Sequence, residues 1–331
     1  MSFQDHITEF AGLPVLTFPA DPEAAVPVPE GGAGAVAWRL DCRGEDDEYH
    51  DRDFAELLDA FLDHVDGARV RALVTGLWTY AVDIENDRVA RDLAAVADRL
   101  PALRSLFISE LVEDQMQLSW LFQKPVTPVL AAFPQLEELW LRGTADGAAI
   151  SESERMAGYD DSLVEPETKH AALRKLVMQS GGLPAGVIRA IATCDFPELT
   201  HLEIYLGSPE YGGDGTLEDL ASFLDGSRFP KLRHLGLKDA EFQDEIAAAV
   251  AQAPVVARLE TLDLSLGTLG DEGAAALLAG QPLDHLRRLD LSHHYLSEGM
   301  RERLRQAWPT VEVDLSDHQD PEWGRYIAVG E

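Results

Sequence analysis

LETLDLSLGTLGDEGAAALLAG, residues 259–280, and the QPLDHLRRLDLSHHYLSEGMRERL that follows it, residues 281–304, contain one pattern twice. The leucines at positions 259, 262, 264 and 269 recur 27 positions later, and a segment rich in helix-forming residues follows each set. Apolar residues at offsets 0, 3 and 5 predict a short strand with one buried face. Such a unit is unstable alone and must stack on similar units, so the pattern predicts a repeat protein.

Similar segments occur along most of the chain. Their central apolar residues lie at positions 38, 73, 106, 139, 176, 202, 235, 262, 289 and 313, at spacings of 24 to 37 residues. These spacings leave room for a helix after each strand, as in TLEDLASFLDG at residues 216–226. We therefore expect about ten strand–helix units.

The units resemble the ribonuclease-inhibitor-like class of leucine-rich repeats over roughly residues 35–316. The resemblance implies an α/β solenoid: a right-handed horseshoe with a parallel β-sheet on the concave face, helices on the convex face, and protein binding as the usual role. The class has Asn or Cys three residues after the last strand leucine, whereas this chain has Gly181, Gly207, Ala240, Gly267 and His294 there. The backbone groups that an asparagine ladder would satisfy must find other partners.

The two ends of the chain lie outside these units. Residues 1–34 contain an apolar run at 13–18 and a link rich in Pro and Gly, and we expect them to cap the first repeat. Their opening, MSFQDHITEFAGLPVLTFP, resembles the start of a bacterial leucine-rich repeat family without an assigned activity. Residues 317–331 are expected to form a tail or a second cap. Insertions at 146–169 and 207–215 are expected to project as loops near the strand exits.

Composition restricts the class of protein. The 27 basic and 59 acidic residues give a net charge of −32, which disfavours nucleic acid and favours a protein partner with a basic surface, or else serves solubility alone. The sequence contains neither a signal peptide nor the roughly 18 apolar residues that span a bilayer, and this favours a cytoplasmic protein. Two distant cysteines, Cys42 and Cys194, indicate neither a disulfide framework nor a zinc site.

The repeat register predicts which side chains line the concave face. Strand positions 3, 5 and 7 point away from the leucine core, and neighbouring repeats place equivalent positions about 4.8 Å apart. Position 5 is apolar in the first repeats and acidic in the last ones, with Val74, Phe107, Trp140, Val177, Glu203, Gly236, Asp263, Asp290 and Asp314 in order. We expect a partner to contact this face, and the predicted contact residues are Phe107, Trp140, Val177, Glu203, Tyr205, Asp263, Asp290 and Asp314.

Each half of this face has an alternative reading. Phe107 and Trp140 are binding anchors if they are exposed, but the N-terminal segment or the 146–169 insertion is an alternative occupant that covers them. The stacked aspartates repel one another unless a cation screens them. That cation is either Arg288 with water, or a lysine or arginine of the partner.

Catalytic constellations are weak in this sequence. His293 and His294 are adjacent and point apart, which is unsuitable for a shared metal ion. Cys194 ends a helical segment while His201 lies on a strand, which disfavours a nucleophile–base pair. The glycine-rich segment at 207–215 lacks the Gly-Lys-Ser/Thr ending of a phosphate-binding loop. We therefore expect a non-catalytic protein–protein interaction module without cofactor or metal. A scaffold subunit of an enzyme complex is the alternative, and an enzyme with a grafted site is the third hypothesis. The oligomeric state stays open.

Overall fold

The computed structural model describes residues 3–43, 53–78, 85–86, 88–145 and 163–330. Most of the 146–169 insertion, and the prediction that it projects as a loop or covers the concave face, lie outside these residues. The last part of the insertion is described, and Leu163 and Val164 there are buried in the main core.

Twelve of the described strands form one sheet, parallel except at its N-terminal edge. In spatial order they are β1 (Glu9–Phe10), β2 (Leu13–Phe18), β3 (Ala37–Leu40), β4 (Ala72–Thr75), β6 (Ser105–Ile108), β8 (Glu138–Arg142), β10 (Lys175–Gln179), β11 (His201–Gly207), β12 (His234–Ala240), β13 (Thr261–Asp263), β14 (Arg288–Asp290) and β15 (Glu312–Asp314). The predicted leucine-rich repeat solenoid is confirmed, because each repeat strand pairs with the strand of the next unit at the predicted register.

A second sheet, which the sequence did not reveal, consists of three short strands. They are β5 (Glu85–Asn86), β7 (Phe122–Gln123) and β9 (Thr144–Ala145), and they pair in parallel. Each lies in the segment that leaves a strand of the main sheet, so this small sheet stacks the strand exits of three successive units.

Helices connect the strands. Those in the described residues are α1 (Phe54–His64), α2 (Val89–Ala95), α3 (Thr127–Ala132), α4 (Ala185–Thr193), α5 (Ala221–Leu224), α6 (Gln243–Val250), α7 (Asp271–Ala279) and α8 (Glu298–Ala307). Helix α1 shows why they form: Asp53 Oδ1 accepts from the backbone N of Glu56 at 3.0 Å, Glu56 caps Asp53 in return, and one face carries the buried apolar residues. Short turns of 3₁₀ helix accompany the α-helix in several units.

The core lies between the sheet and the helices. The central leucines at 73, 106, 139, 176, 202, 235, 262 and 289 are fully buried. In the last repeat, Val313 and Leu315 are only half-buried, because β15 is an edge strand of the described sheet. The repeats therefore depend on their neighbours for burial, as the sequence pattern predicts.

The glycine-rich segment at 207–215 does not project as predicted. The backbone N of Leu183 donates to Leu206 O at 3.0 Å, and the N of Ser208 donates to Gly181 O at 2.9 Å. A Cβ at Gly182 would lie 2.1 Å from Tyr211 O, so only glycine permits this close approach. The segment packs back on the preceding repeat.

Other side chains replace the missing asparagine ladder. Gln243 Nε2 donates to Leu237 O at 2.9 Å, and its Oε1 accepts from the backbone N of Ala240 at 3.3 Å. His294 also binds a backbone group at the turn of a later repeat, where its Nδ1 accepts from the backbone N of Leu296 at 3.2 Å. Backbone groups at the turns are thus satisfied one repeat at a time and not by a continuous column.

Candidate partner-binding face

The N-terminal segment crosses the first half of the concave face. We call residues 3–14 the arm. Phe10 of the arm lies 5.9 Å from Phe107 and 6.2 Å from Trp140 between ring centroids, and Ile7 and Leu13 pack beside it. Together with small residues of β3 and β4 they form a second hydrophobic core on the concave side of the sheet. The aromatic half of the face thus already holds an extended segment of the chain itself.

Phe107 and Val177 are therefore not available to a partner. Both are completely buried, and the prediction that they form an exposed patch is wrong. The reason for Phe107 is the arm, the alternative occupant that sequence reasoning had left open. Val177 is buried between Trp140 of β8 and Glu203 of β11, which flank it in the sheet.

A buried ion cluster anchors the arm. The carboxylate of Glu110, fully buried, accepts from Arg39 Nη2 at 2.5 Å, from His6 Nδ1 at 2.9 Å and from the backbone N of Ile7 at 3.0 Å. Although burial opposes ionisation, the hydrogen bond from His6 and the charge of Arg39 lower the pKa of Glu110 below its usual value. The arm is thus held by charge as well as by apolar contact.

The start of the arm covers Tyr205. Phe3 packs edge-on against Tyr205 with ring centroids 6.3 Å apart, and the guanidinium of Arg142 lies 4.7 Å from the Phe3 ring centre. Tyr205 is buried as a result, so its predicted role as an exposed contact is wrong. Arg142 is buried too, and burial lowers the pKa of its guanidinium to about 10.

Trp140 lies at the boundary between the covered and the open parts of the face. One side of its ring packs on the arm, while Lys175 Nζ lies 4.6 Å from the ring centre and Trp140 Nε1 donates to Glu138 Oε1 at 2.7 Å. A cleft of about 330 Å³ opens here between the arm and the residues around Trp140. Trp140 is half-buried, so part of the predicted anchor remains accessible.

The aspartates of the predicted acidic column are already paired with cations of the protein itself. Arg288 Nη2 lies 2.8 Å from Asp290 Oδ2 and 2.7 Å from Asp314 Oδ2, and Lys238 Nζ lies 2.6 Å from Asp263 Oδ2. Internal screening, one of the two alternatives, is what the structure shows. It does not depend on a partner's cation.

The same aspartates also end their strands. Asp263, Asp290 and Asp314 each accept, through Oδ1, a hydrogen bond of 3.0 Å from the backbone N of the serine two residues later. The sequence signal for this is the triplet Asp-Leu-Ser, which occurs at residues 263–265, 290–292 and 314–316. The position-5 aspartates are therefore turn residues first, a role that sequence reasoning missed.

The accessible column of the face is position 3. From β10 to β15 it consists of partly or largely exposed side chains, and we call these residues the open strip: Lys175, His201, His234, Thr261, Arg288 and Glu312. At one end of the strip, Lys175 lies over the ring of Trp140, at the edge of the apolar core beneath the arm. The register had placed these residues on the concave face, but it gave no reason to prefer position 3 over position 5.

Glu203, at position 5, lies next to His201 and His234 of the open strip. His201 Nε2 is 2.7 Å from Glu203 Oε1, and His234 Nε2 is 3.2 Å from the same oxygen. Burial opposes ionisation of Glu203, but the hydrogen bond with His201 and the charge of Lys238 hold its pKa well below the usual value. Two imidazoles and a carboxylate in one place are the donor types of a transition-metal site.

The thiol considered as a nucleophile is inert. Cys194 is buried, its Sγ donates to Ala190 O at 3.3 Å, and burial raises its pKa to about 11. Cys194 lies at the C-terminal end of α4, whereas the His201 side chain lies on the concave face. The two do not form a nucleophile–base pair.

Within the described residues, no helix is both long enough and apolar enough to cross a membrane.

Comparisons with known proteins agree with this architecture. A family described as "Leucine Rich repeat" matches residues 259–278, within the first of the two quoted repeats. A Bacteroides fragilis protein of known crystal structure is similar to 83% of this chain, over 73% of its own length, with 28% identity and a TM-score of 0.73. A search of the curated proteins gives no match.

Two further solved structures show more distant likeness. An internalin from Listeria monocytogenes matches 78% of this chain over 69% of its own, with 13% identity and a TM-score of 0.35. A leucine-rich repeat protein from Leptospira interrogans matches 85% of this chain over 61% of its own, with 14% identity and a TM-score of 0.29. The repeat pattern, the confirmed strand register, the family match and the likeness to the Bacteroides fragilis structure together identify the chain as a leucine-rich repeat protein.

Proposed function

We propose that this protein is a non-catalytic module that binds a protein partner through the open strip and the cleft beside Trp140. The observation that carries the proposal is the division of the concave face. Its aromatic half is filled by the arm, while its position-3 column stays accessible over six successive strands. Leucine-rich repeat arrays typically act as binding surfaces of this kind, since a parallel sheet holds side chains in rigid rows.

The partner's contacting surface is basic. Positions 3 and 5 of strands β8 to β15 carry six carboxylates and two cationic side chains: Glu138, Glu203, Asp263, Asp290, Glu312 and Asp314 against Lys175 and Arg288. Lys238, at position 7, adds one more cation, so the internal ion pairs leave an excess of negative charge. The net charge of −32 adds a long-range field of the same sign, which accelerates association with a positively charged surface.

The test compares two matched charge reversals. Glu312, on the open strip, has a side chain 67% exposed and pairs with Arg288, whereas Glu302, on α8 of the convex face, is 56% exposed and pairs with Arg305. A protein captured by the wild-type chain from a native extract is purified, and its association rate with each variant is measured at two salt concentrations. We expect Glu312→Lys to slow association by roughly threefold to tenfold, more at low salt, and Glu302→Lys to leave the rate unchanged.

Equal rates for the two variants would refute the open strip as the binding surface. In particular, equal slowing by both variants would show that association depends only on the overall charge of the chain and that the contact lies elsewhere.

A further inference from the structure

Two histidines of the open strip and the glutamate beside them bring three side chains of metal-ligand type together from two neighbouring strands. His201 and Glu203 are two residues apart on β11, so both point to the concave side, and His234 is the register partner of His201 on β12. One donor atom from each of the three lies within 4.8 Å of the other two. The rigid ladder of the parallel sheet fixes this spacing.

Neighbouring residues aim the carboxylate at the two imidazoles. Gly236 is the register partner of Glu203, and a Cβ there would lie 2.8 Å from Glu203 Cγ. Its absence lets the Glu203 side chain lie over β12. Lys238 Nζ, 3.5 Å from Glu203 Oε2, holds the other oxygen, so that Oε1 remains directed at His201 and His234.

One imidazole nitrogen of the cluster is buried without a well-aligned hydrogen bond. His234 Nε2 lies 3.2 Å from Glu203 Oε1, but this contact lacks the alignment of a strong hydrogen bond. The other nitrogen, Nδ1, contacts Thr261 Oγ1. When Nδ1 carries the proton and donates it to Thr261, the lone pair of Nε2 faces a carboxylate oxygen, and two acceptors oppose each other. A cation between them satisfies both.

We propose that His201, Glu203 and His234 bind a divalent transition-metal ion of the zinc type on the concave face. Two imidazole nitrogens and one carboxylate oxygen match the three protein ligands of an open zinc site, whereas magnesium and calcium take oxygen ligands. The side chains of His201, Glu203 and His234 are 23%, 13% and 18% exposed, so the ion reaches the site from the concave side and keeps one position open toward it.

Binding requires a rotation of the imidazoles. The rings of His201 and His234 are stacked, with centroids 3.7 Å apart and planes inclined by 1°. A nitrogen lone pair lies in the plane of its ring, so one ion cannot lie in two parallel planes at once. At least one ring turns about its Cβ–Cγ bond, and the stacking is lost when the metal binds.

The experiment titrates the metal-free full-length chain with Zn²⁺ against a chromophoric chelator, and with Co²⁺ followed by visible absorption, both with Mg²⁺ in excess. His201→Phe and His234→Phe keep an aromatic ring in the stack but remove the donor, and Glu203→Gln removes the charge. His285→Phe is the matched control, since His285 is exposed and lies away from the cluster, with Nε2 on Val256 O. We expect one Zn²⁺ per chain, unaffected by Mg²⁺ and by His285→Phe, with Kd raised roughly tenfold or more in each of the other variants.

Circular dichroism of each variant checks that the fold is kept, and histidine ring signals in NMR spectra of the wild type report the predicted rotation directly. The proposal fails if the wild type binds no more Zn²⁺ than the His201→Phe, His234→Phe double variant. It fails equally if Mg²⁺ displaces the Zn²⁺, because the many surface carboxylates then account for the binding. The test uses no partner, so its outcome is independent of the proposed protein-binding function.

Discussion

Replacing Phe10 by alanine tests whether the arm is part of the folded core. Phe10 is 5% exposed and contacts the rings of Phe107 and Trp140. Burial of the side chain contributes about 2 kcal/mol, and the two ring contacts add about 0.5 to 1.5 kcal/mol each. We therefore expect Phe10→Ala to lower the free energy of unfolding by about 3 to 5 kcal/mol, the usual range for a buried Phe→Ala change.

The measurement has two parts, because the arm is terminal and can detach without global unfolding. Urea denaturation gives the global loss, and limited proteolysis followed by mass spectrometry reports cleavage within residues 3–14. Local release shows as faster cleavage of the arm and as binding of a hydrophobic dye to the uncovered Phe107. Val28→Ala is the control, since Val28 is 91% exposed and is expected to change stability by less than about 0.5 kcal/mol.

A Phe10→Ala chain that unfolds like the Val28→Ala control and resists protease equally would refute the reasoning. The second hydrophobic core would then not hold the arm, and the aromatic half of the face would be open to a partner.

Three further substitutions test the fold and its buried charges. Leu262→Asp should unfold at least the neighbouring repeats, seen as a lowered or split melting curve, because it buries an unpaired charge in the core. Glu110→Gln should cost about 3 to 5 kcal/mol in urea denaturation, since it leaves the Arg39 guanidinium buried without its counter-charge. Burial raises the pKa of Asp239 well above its usual value, so the native state binds the proton more tightly than the unfolded chain. That stabilisation is complete below about pH 4 and is lost as pH rises through the folded pKa. Asp239→Asn still accepts from Val329 N and does not titrate, so at pH 8 it should be more stable than the wild type by about 1 to 3 kcal/mol, and thermal unfolding at pH 5 should show a smaller difference.

The fold was predictable because its signal is redundant. Leucines such as Leu262 and Leu289 repeat the same offsets in unit after unit, and a parallel strand with one buried face is the structure that satisfies all of them at once. The small three-stranded sheet was not predictable in this way. Its strands are two residues long, too short to leave a periodic pattern in the sequence.

The residues that line the concave face were predictable, but the segment that covers half of it was not. The register placed Phe107 and Trp140 side by side correctly. It contained no information about Phe10, which contacts both rings although it precedes Phe107 by 97 residues and Trp140 by 130 in the sequence. The Asp-Leu-Ser triplets were visible in the sequence. They would have indicated that the Asp290 carboxylate accepts hydrogen bonds from Ser292 in the turn that follows its strand.

The histidine–glutamate cluster illustrates the same limit. The register already made His201 and His234 neighbours, with Glu203 two residues further on. The sequence did not show the direction of the Glu203 carboxylate. That direction follows from the space above Gly236 and from the ion pair with Lys238. A glycine at position 5 next to a glutamate at position 5 of the adjacent repeat is the sequence signal that the glutamate side chain can lie over the glycine.

In the proposed binding mode, the energy that holds the arm decides which part of the face a partner uses. A partner that binds the aromatic half must first displace Phe10, at a cost of about 3 to 5 kcal/mol, and this lowers its apparent affinity by a factor on the order of a hundred to a thousand or more. It must also break the contacts of His6 and Ile7 with Glu110, which leaves buried charge less well satisfied. A partner on the open strip meets neither cost, since Arg288 and Glu312 are already accessible. In the proposed binding mode, the arm therefore directs the partner toward the polar half of the face even though the aromatic half contains the stronger anchors.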